Sequence, residues 1–124
     1  MSVLVAVTDS PEGLAALEAA ANEAAQLHVQ LTAINLTGAE LDTSRLAAGV
    51  PVEVVVPDGA SDIDEVEQVL QAIEERSEVT RLVVGVRKRS PIGKAVLGSI
   101  AQRLILESTV PVLSVKTTDA ETRS

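Results

Sequence analysis

The chain has 124 residues, a formal net charge of −8 and 46% hydrophobic residues, with no aromatic residue and no cysteine. That length suits one domain with a buried core, which must be assembled from Val, Leu, Ile and Ala. Disulfides, thiolate metal sites and thiol nucleophiles are excluded, and an acidic chain without stacking platforms argues against a nucleic-acid partner.

The opening "MSVLVAV" enters an apolar run at once, without a basic stretch before it, so no signal peptide is read there. No apolar stretch reaches the ~20 residues that span a bilayer. The expectation is a cytoplasmic protein with no membrane partner. Residues 2–7 read as a strand covered on both faces. "TDSPEG" follows, in which Ser10 is a helix cap and Pro11 suits the first turn. Leu14, Leu17, Ala21, Ala24 and His28 recur at helical spacing, and residues 29–36, ending at Leu36, form a second strand. His28, the single histidine, falls near the helix end on its apolar side, where a helix-terminal or partly buried structural role is expected.

Residues 37–50 are weakly patterned and read as a loop with a short helix. "VEVVV" (52–56) is a third strand, stopped by the turn signature "PDG". From Asp62 to Arg76, Ile63, Val66, Val69, Leu70 and Ile73 form one helical stripe. Ser61 and Asp62 are the expected caps there, Asp62 with Glu65 matching a capping box. The acids at 62, 64, 65 and 67 then favour the helix dipole and are read as a solvated cluster, with no metal site. A fourth strand covers 81–86, a last helix 99–108 and a fifth strand 110–115; residues 118–124 are a polar tail beyond a single domain at 1–117.

Strands alternating with helices define an α/β fold, a parallel sheet with helices on both faces. In such sheets a ligand lies beyond the carboxyl ends of the strands, where the winding direction reverses. That brings together "TDSPEG" and the tract "VVGVRKRSPIGKAVLGS" (83–99), which reads as a basic loop. The tract holds Arg87, Lys88, Arg89 and Lys94, four of ten basic residues, whereas residues 1–78 hold 15 acids and two bases. Gly98 and Ser99 open a helix, whose unpaired N–H groups and dipole form an anion site; the alternative is a plain turn and cap. Gly85, at the end of the fourth strand, permits a nucleotide across the strand tip or, equally, a close backbone approach. The cations neutralise phosphate or solvate a loop. Asp9 lies at the first strand's tip, as a ligand acceptor or a holder of Mg²⁺, or else as a turn residue. No P-loop or dinucleotide fingerprint occurs, and no general base beyond Asp9 is visible, so the chain is not read as an enzyme.

The tract "VVGVRKRSPIGKAVLGSIAQRLILESTVPVLSVK", within five strands and four helices running from "VLVAV" to "VPVLSV", resembles the universal stress protein family. Nucleotide-binding members carry G-x2-G-x9-G-[ST] here, and Gly85, Gly98 and Ser99 fall in that register. The resemblance implies a three-layer sandwich whose five-stranded sheet is ordered 3-2-1-4-5, a homodimer through the strand at 110–115, and a role in stress response. It also implies ATP or AMP, with Mg²⁺, at the tips of strands one and four. The implied contacts are Thr8, Asp9, Ser10, Leu36, Gly85, Arg87, Gly98, Ser99 and Ile100. Two positions depart from the pattern. Lys88 stands where the motif has its second Gly, and Thr8 where the family has an adenine-contacting Asp. Lys88 adds positive charge but removes the close main-chain approach that Gly permits, and Pro91 stiffens the tract. The alternative is therefore a dimeric interaction protein whose nucleotide site has decayed and takes at most a small anion.

Overall fold

The computed structural model describes residues 1–57, 63–89, 94–96 and 98–118; of 88, 89, 94–96 and 118 it describes the backbone only. The first strand, β1 (Ser2–Thr8), is buried over its first six residues because the sheet is covered on both faces. Val3, Val5 and Val7 face one core, with the first helix, α1 (Pro11–Leu27); Leu4 and Ala6 face the other. The remaining elements are β2 (Gln30–Leu36), β3 (Val52–Val55), α2 (Glu65–Glu75), β4 (Val79–Arg89), β5 (Lys94–Val96), α3 (Ser99–Glu107) and β6 (Val112–Thr118). Val66, Val69, Ile73 and Leu104 of α2 and α3 fill the second core.

Five of the strands are parallel in the order β3-β2-β1-β4-β6, and β5 adds an antiparallel strand along β4. With β6 as the fifth parallel strand, this is the expected 3-2-1-4-5 arrangement. Right-handed crossovers account for the placement of α1 on one face and of α2 and α3 on the other.

Local signals explain most boundaries. Ser10 caps α1 by accepting from Gly13 N at 3.0 Å, with Pro11 in the first turn. At the other end His28 adopts φ 57°, ψ 45°, and the amides of His28 and Val29 return to Ala25 and Ala24 carbonyls. His28 is thus a helix-terminal residue, and it is exposed rather than partly buried. Leu14 also departs from expectation at 54% exposure, since the buried face of α1 is built from Gly13, Ala16, Leu17, Ala20, Ala21 and Ala24. Small residues let this helix lie close on the sheet, and the larger Leu14 falls outside that contact.

The helix expected within 37–50 is absent. Asn35 instead organises the exit of β2: its Oδ1 accepts from Thr37 N and Thr37 Oγ1, and its Nδ2 donates to Ala39 O at 2.7 Å. Gly38 and Gly49 take positive φ, which breaks any helix. The cap of α2 is Asp64, which accepts from Glu67 N at 2.9 Å. This cap lies two residues later than the expected one; Ser61, Asp62 and the "PDG" glycine lie outside the described residues.

The basic tract differs most. Arg87, Lys88 and Arg89 are not loop but the continuation of β4, paired with Val96, Ala95 and Lys94 of β5. On its other edge β4 is paired through Lys88 by β6, so the added residues find backbone partners on both sides. β6 itself starts at Val112 and not at 110. Ser108 Oγ makes a tight turn with Val110, accepting from its N and donating to its O, and Pro111 has no N–H to enter the ladder.

Candidate functional site

The winding reverses between β1 and β4, which makes their carboxyl ends the switch point of the sheet. Pairing between the two runs to Val5↔Val83, three residues before β1 ends. Beyond it stand the residues singled out from sequence. Thr8 is half-buried and pairs in register with Leu36 of β2, which packs against the α2–α3 core. Asp9 is exposed. Thr8 Oγ1 and Ser10 Oγ lie 2.8 Å apart, and Ser10 Oγ also accepts from Gly13 N. The hydroxyls of Thr8 and Ser10 are therefore engaged in starting α1.

The glycines separate by what surrounds them. A Cβ on Gly85 would meet Glu12 O at 2.0 Å and Glu12 C at 2.5 Å, so the first turn of α1 rests directly on the backbone of β4. This close approach accounts for glycine at 85 in the absence of any ligand. Gly13 has the same character, with Thr8 O 2.1 Å from its Cβ position. Gly98 does not: among the described residues nothing lies within 4 Å of the corresponding point. It is the N-cap of α3, with extended backbone and no side-chain cap hydrogen bond, and Gln102 N closes the first turn on its carbonyl. The amides that follow at Ser99 and Ile100 have no intrahelical partner by helix geometry, and the helix dipole adds partial positive charge there. Ser99 is exposed and Ile100 half-buried.

Arg87 is exposed on β4 past the end of β1. The side chains of Lys88 and Lys94, and all of Ser90 to Gly93, lie outside the described residues. The structure thus brings Thr8, Ser10 and Leu36 to the ends of β1 and β2, and opens α3 at Ser99, three residues after β5 ends. Gly85, expected at the end of the fourth strand, lies inside β4, four residues before Arg89, because β6 continues the ladder past it. Among the described residues no group of three acids or histidines is placed to hold a metal ion.

Cavities among the described residues lie elsewhere. One of about 340 Å³ runs between β3 and α2, lined by Ile34, Val55, Gln68 and Ala72 among others. Another of about 590 Å³ lies at the opposite end of the sheet, beside Met1, His28 and Pro51. Neither reaches Thr8, Gly85 or Gly98. Sequence reasoning missed Asn35, although an Asn two residues before Thr-Gly is a turn signal. It also missed Arg103, which joins α3 to the cap of α2 by donating to Asp64 at 2.7 Å and bonds Glu107 at 3.1 Å. Arg103, in turn, holds the Asp64 carboxyl below its ordinary value, with help from the Glu67 amide.

Comparison with known proteins agrees with this architecture. The model of the universal stress protein family matches residues 37–116. A universal stress protein of Mycolicibacterium smegmatis is 34% identical over 129 residues, covering 92% of this chain and 96% of that protein. Among solved structures, a universal stress protein from Archaeoglobus fulgidus superposes with a TM-score of 0.71 at 23% identity, covering 94% of this chain and 98% of its own. A universal stress protein from the same organism in complex with dAMP gives a TM-score of 0.64 at 18% identity over 94% and 98% of the two chains. With its profile matched over most of its length and a relative at this identity, the chain belongs to the universal stress protein family.

Proposed function

We propose that this protein is a stress-response module that binds an adenine nucleotide at the tips of β1 and β4, with the phosphates against the start of α3. The observation that carries the reading is the N-terminus at Gly98, which has no side-chain cap and no described atom within 4 Å of its Cβ position, with Ser99 directly after. A helix start of this kind takes phosphate through backbone N–H groups and the dipole, and Arg87 brings positive charge on the adjacent strand. The dAMP complex of the archaeal relative supports a nucleotide as the ligand. Thr8 and Leu36 then border the base, and Mg²⁺ accompanies ATP through its phosphates. Calorimetry with ATP, ADP and AMP, with and without Mg²⁺, tests the reading; no heat at millimolar nucleotide refutes it.

A second reading has its own observation. The hydroxyls of Thr8 and Ser10 are tied to each other and to α1, and Gly85 is covered by Glu12. Both facts suit a site that has lost its nucleotide and keeps only an anion cradle at α3. Under this reading Lys88→Gly restores nucleotide binding, and a variant that still fails to bind counts against decay by this route.

We also propose a homodimer through β6. Its outer edge carries Leu113, 40% exposed, with Leu106 of α3 at 75% nearby in sequence. An unpaired strand edge with apolar side chains invites a partner, and a two-fold axis covers both copies with one contact. A monomeric mass by light scattering at working concentration refutes it. No helix among the described residues is long and apolar enough to cross a membrane. A single domain at 1–117 and a cytoplasmic location remain part of the proposal.

A further inference from the structure

Strand β5 lies where a ligand of the switch point has to enter. β4 offers two edges. Over Leu82–Lys88 one of them carries β6, residues Val112–Thr118; over Val79–Val83 the opposite edge carries β1. Arg87 and Lys88 pair at once with Thr117 and Thr118 of β6 and with Val96 and Ala95 of β5. β5 must therefore lie on the β1 edge. Continued from Val5↔Val83, the parallel register brings Thr8, the last residue of β1, level with Val86. Val96, the partner of Arg87, then falls one position past the tip of β1, and β5 prolongs the line of that strand.

Ligands of open parallel sheets lie outside the carboxyl ends at the switch point, here the tips of β1 and β4. We infer that β5 is an intrachain occupant of that crevice, and that a nucleotide binds there only as β5 leaves β4. The inference rests on the nucleotide reading given above and adds its regulation. The device is readily reversible. A three-residue ladder is held by few backbone hydrogen bonds, each of which exchanges for bonds to water at small net cost. Apparent affinity is lowered by the fraction of molecules in which β5 is detached. Detachment also loosens the segment that ends two residues before Gly98, so whatever holds β5 out favours access to the α3 amides.

The chain has no cysteine of its own, which makes a cross-strand lock clean. In the double variant Lys88→Cys, Ala95→Cys the two positions are direct partners. Calorimetry with AMP and with Mg²⁺–ATP then compares one protein in its oxidised and reduced forms, closure being checked by thiol titration. The reduced form is expected to bind, and the oxidised form to bind at least tenfold more weakly. Ala95→Pro, which disrupts the ladder, is expected to tighten binding roughly tenfold. Equal affinity of the oxidised and reduced forms, or a cysteine pair that does not close, overturns the inference and leaves nucleotide binding standing. If wild type, the reduced variant and Ala95→Pro all fail to bind at millimolar nucleotide, the nucleotide reading itself falls and takes this inference with it.

Discussion

Replacing Gly85 with Ala tests how α1 is seated, and the structure gives the size of the effect. The added Cβ would lie 2.0 Å from Glu12 O, 2.5 Å from Glu12 C and 3.1 Å from Glu12 Cβ, where ordinary contacts begin near 3.4 Å. The obstructing atoms are mainly backbone, so no rotamer change relieves them. The first turn of α1 has to retreat by about 1 Å or more, in keeping with the low compressibility of packed interiors. That retreat loosens Ala16, Leu17 and Ala20 from Val5, Val7 and Val83. Overpacking of this kind costs about 1–3 kcal/mol, and a clash with main chain falls at the upper end, about 3 kcal/mol. For a domain of this size that lowers Tm by about 12 °C. The chain has no aromatic reporter, so far-UV circular dichroism in urea is the assay, with the m-value expected to stay constant. A midpoint within about 0.5 kcal/mol of wild type would refute the reasoning. So would a variant that keeps its stability and loses only nucleotide affinity, since glycine would then serve the ligand and not the helix.

Three further outcomes follow from individual sites. Gly98→Ser, in a backbone conformation already suited to a cap, is expected to stabilise the protein by only about 0.3 kcal/mol while weakening nucleotide or phosphate binding, because its hydroxyl takes an amide the anion needs; unchanged or tighter binding in calorimetry would count against the α3 cradle. His28→Gly, relieving a non-glycine residue at φ 57°, is expected to raise stability by about 1 kcal/mol in urea melts. Asp64 has its carboxyl lowered from an ordinary value of 3.8, first by Arg103 and then by the Glu67 amide. A lowered carboxyl stabilises the fold fully above its ordinary value, and that contribution is lost as pH falls through the lowered one. The stability difference between wild type and Arg103→Met should therefore be constant near neutrality and shrink below pH 3.8; a difference that grows on acidification would contradict the pairing.

The order of elements was legible because it depends on short-range pattern. β1, with Val3 to Val7 uninterrupted, reads as a strand buried on both faces, and Ser10–Pro11 announce α1 before any packing is known. Together with the glycine register at Gly85, Gly98 and Ser99, these point to the family that the comparisons show. What the chain alone left open depends on partners far away in sequence. Arg87 and Lys88 look like loop by charge, yet β6 supplies a ladder some thirty residues later and makes them strand. Gly85 looks like room for a ligand until α1, more than seventy residues earlier, is seen resting on it. Periodicity and caps act over a few residues and are written in the chain; which edge is covered and which glycine is filled are set by contacts that exist only once the sheet has closed around α1.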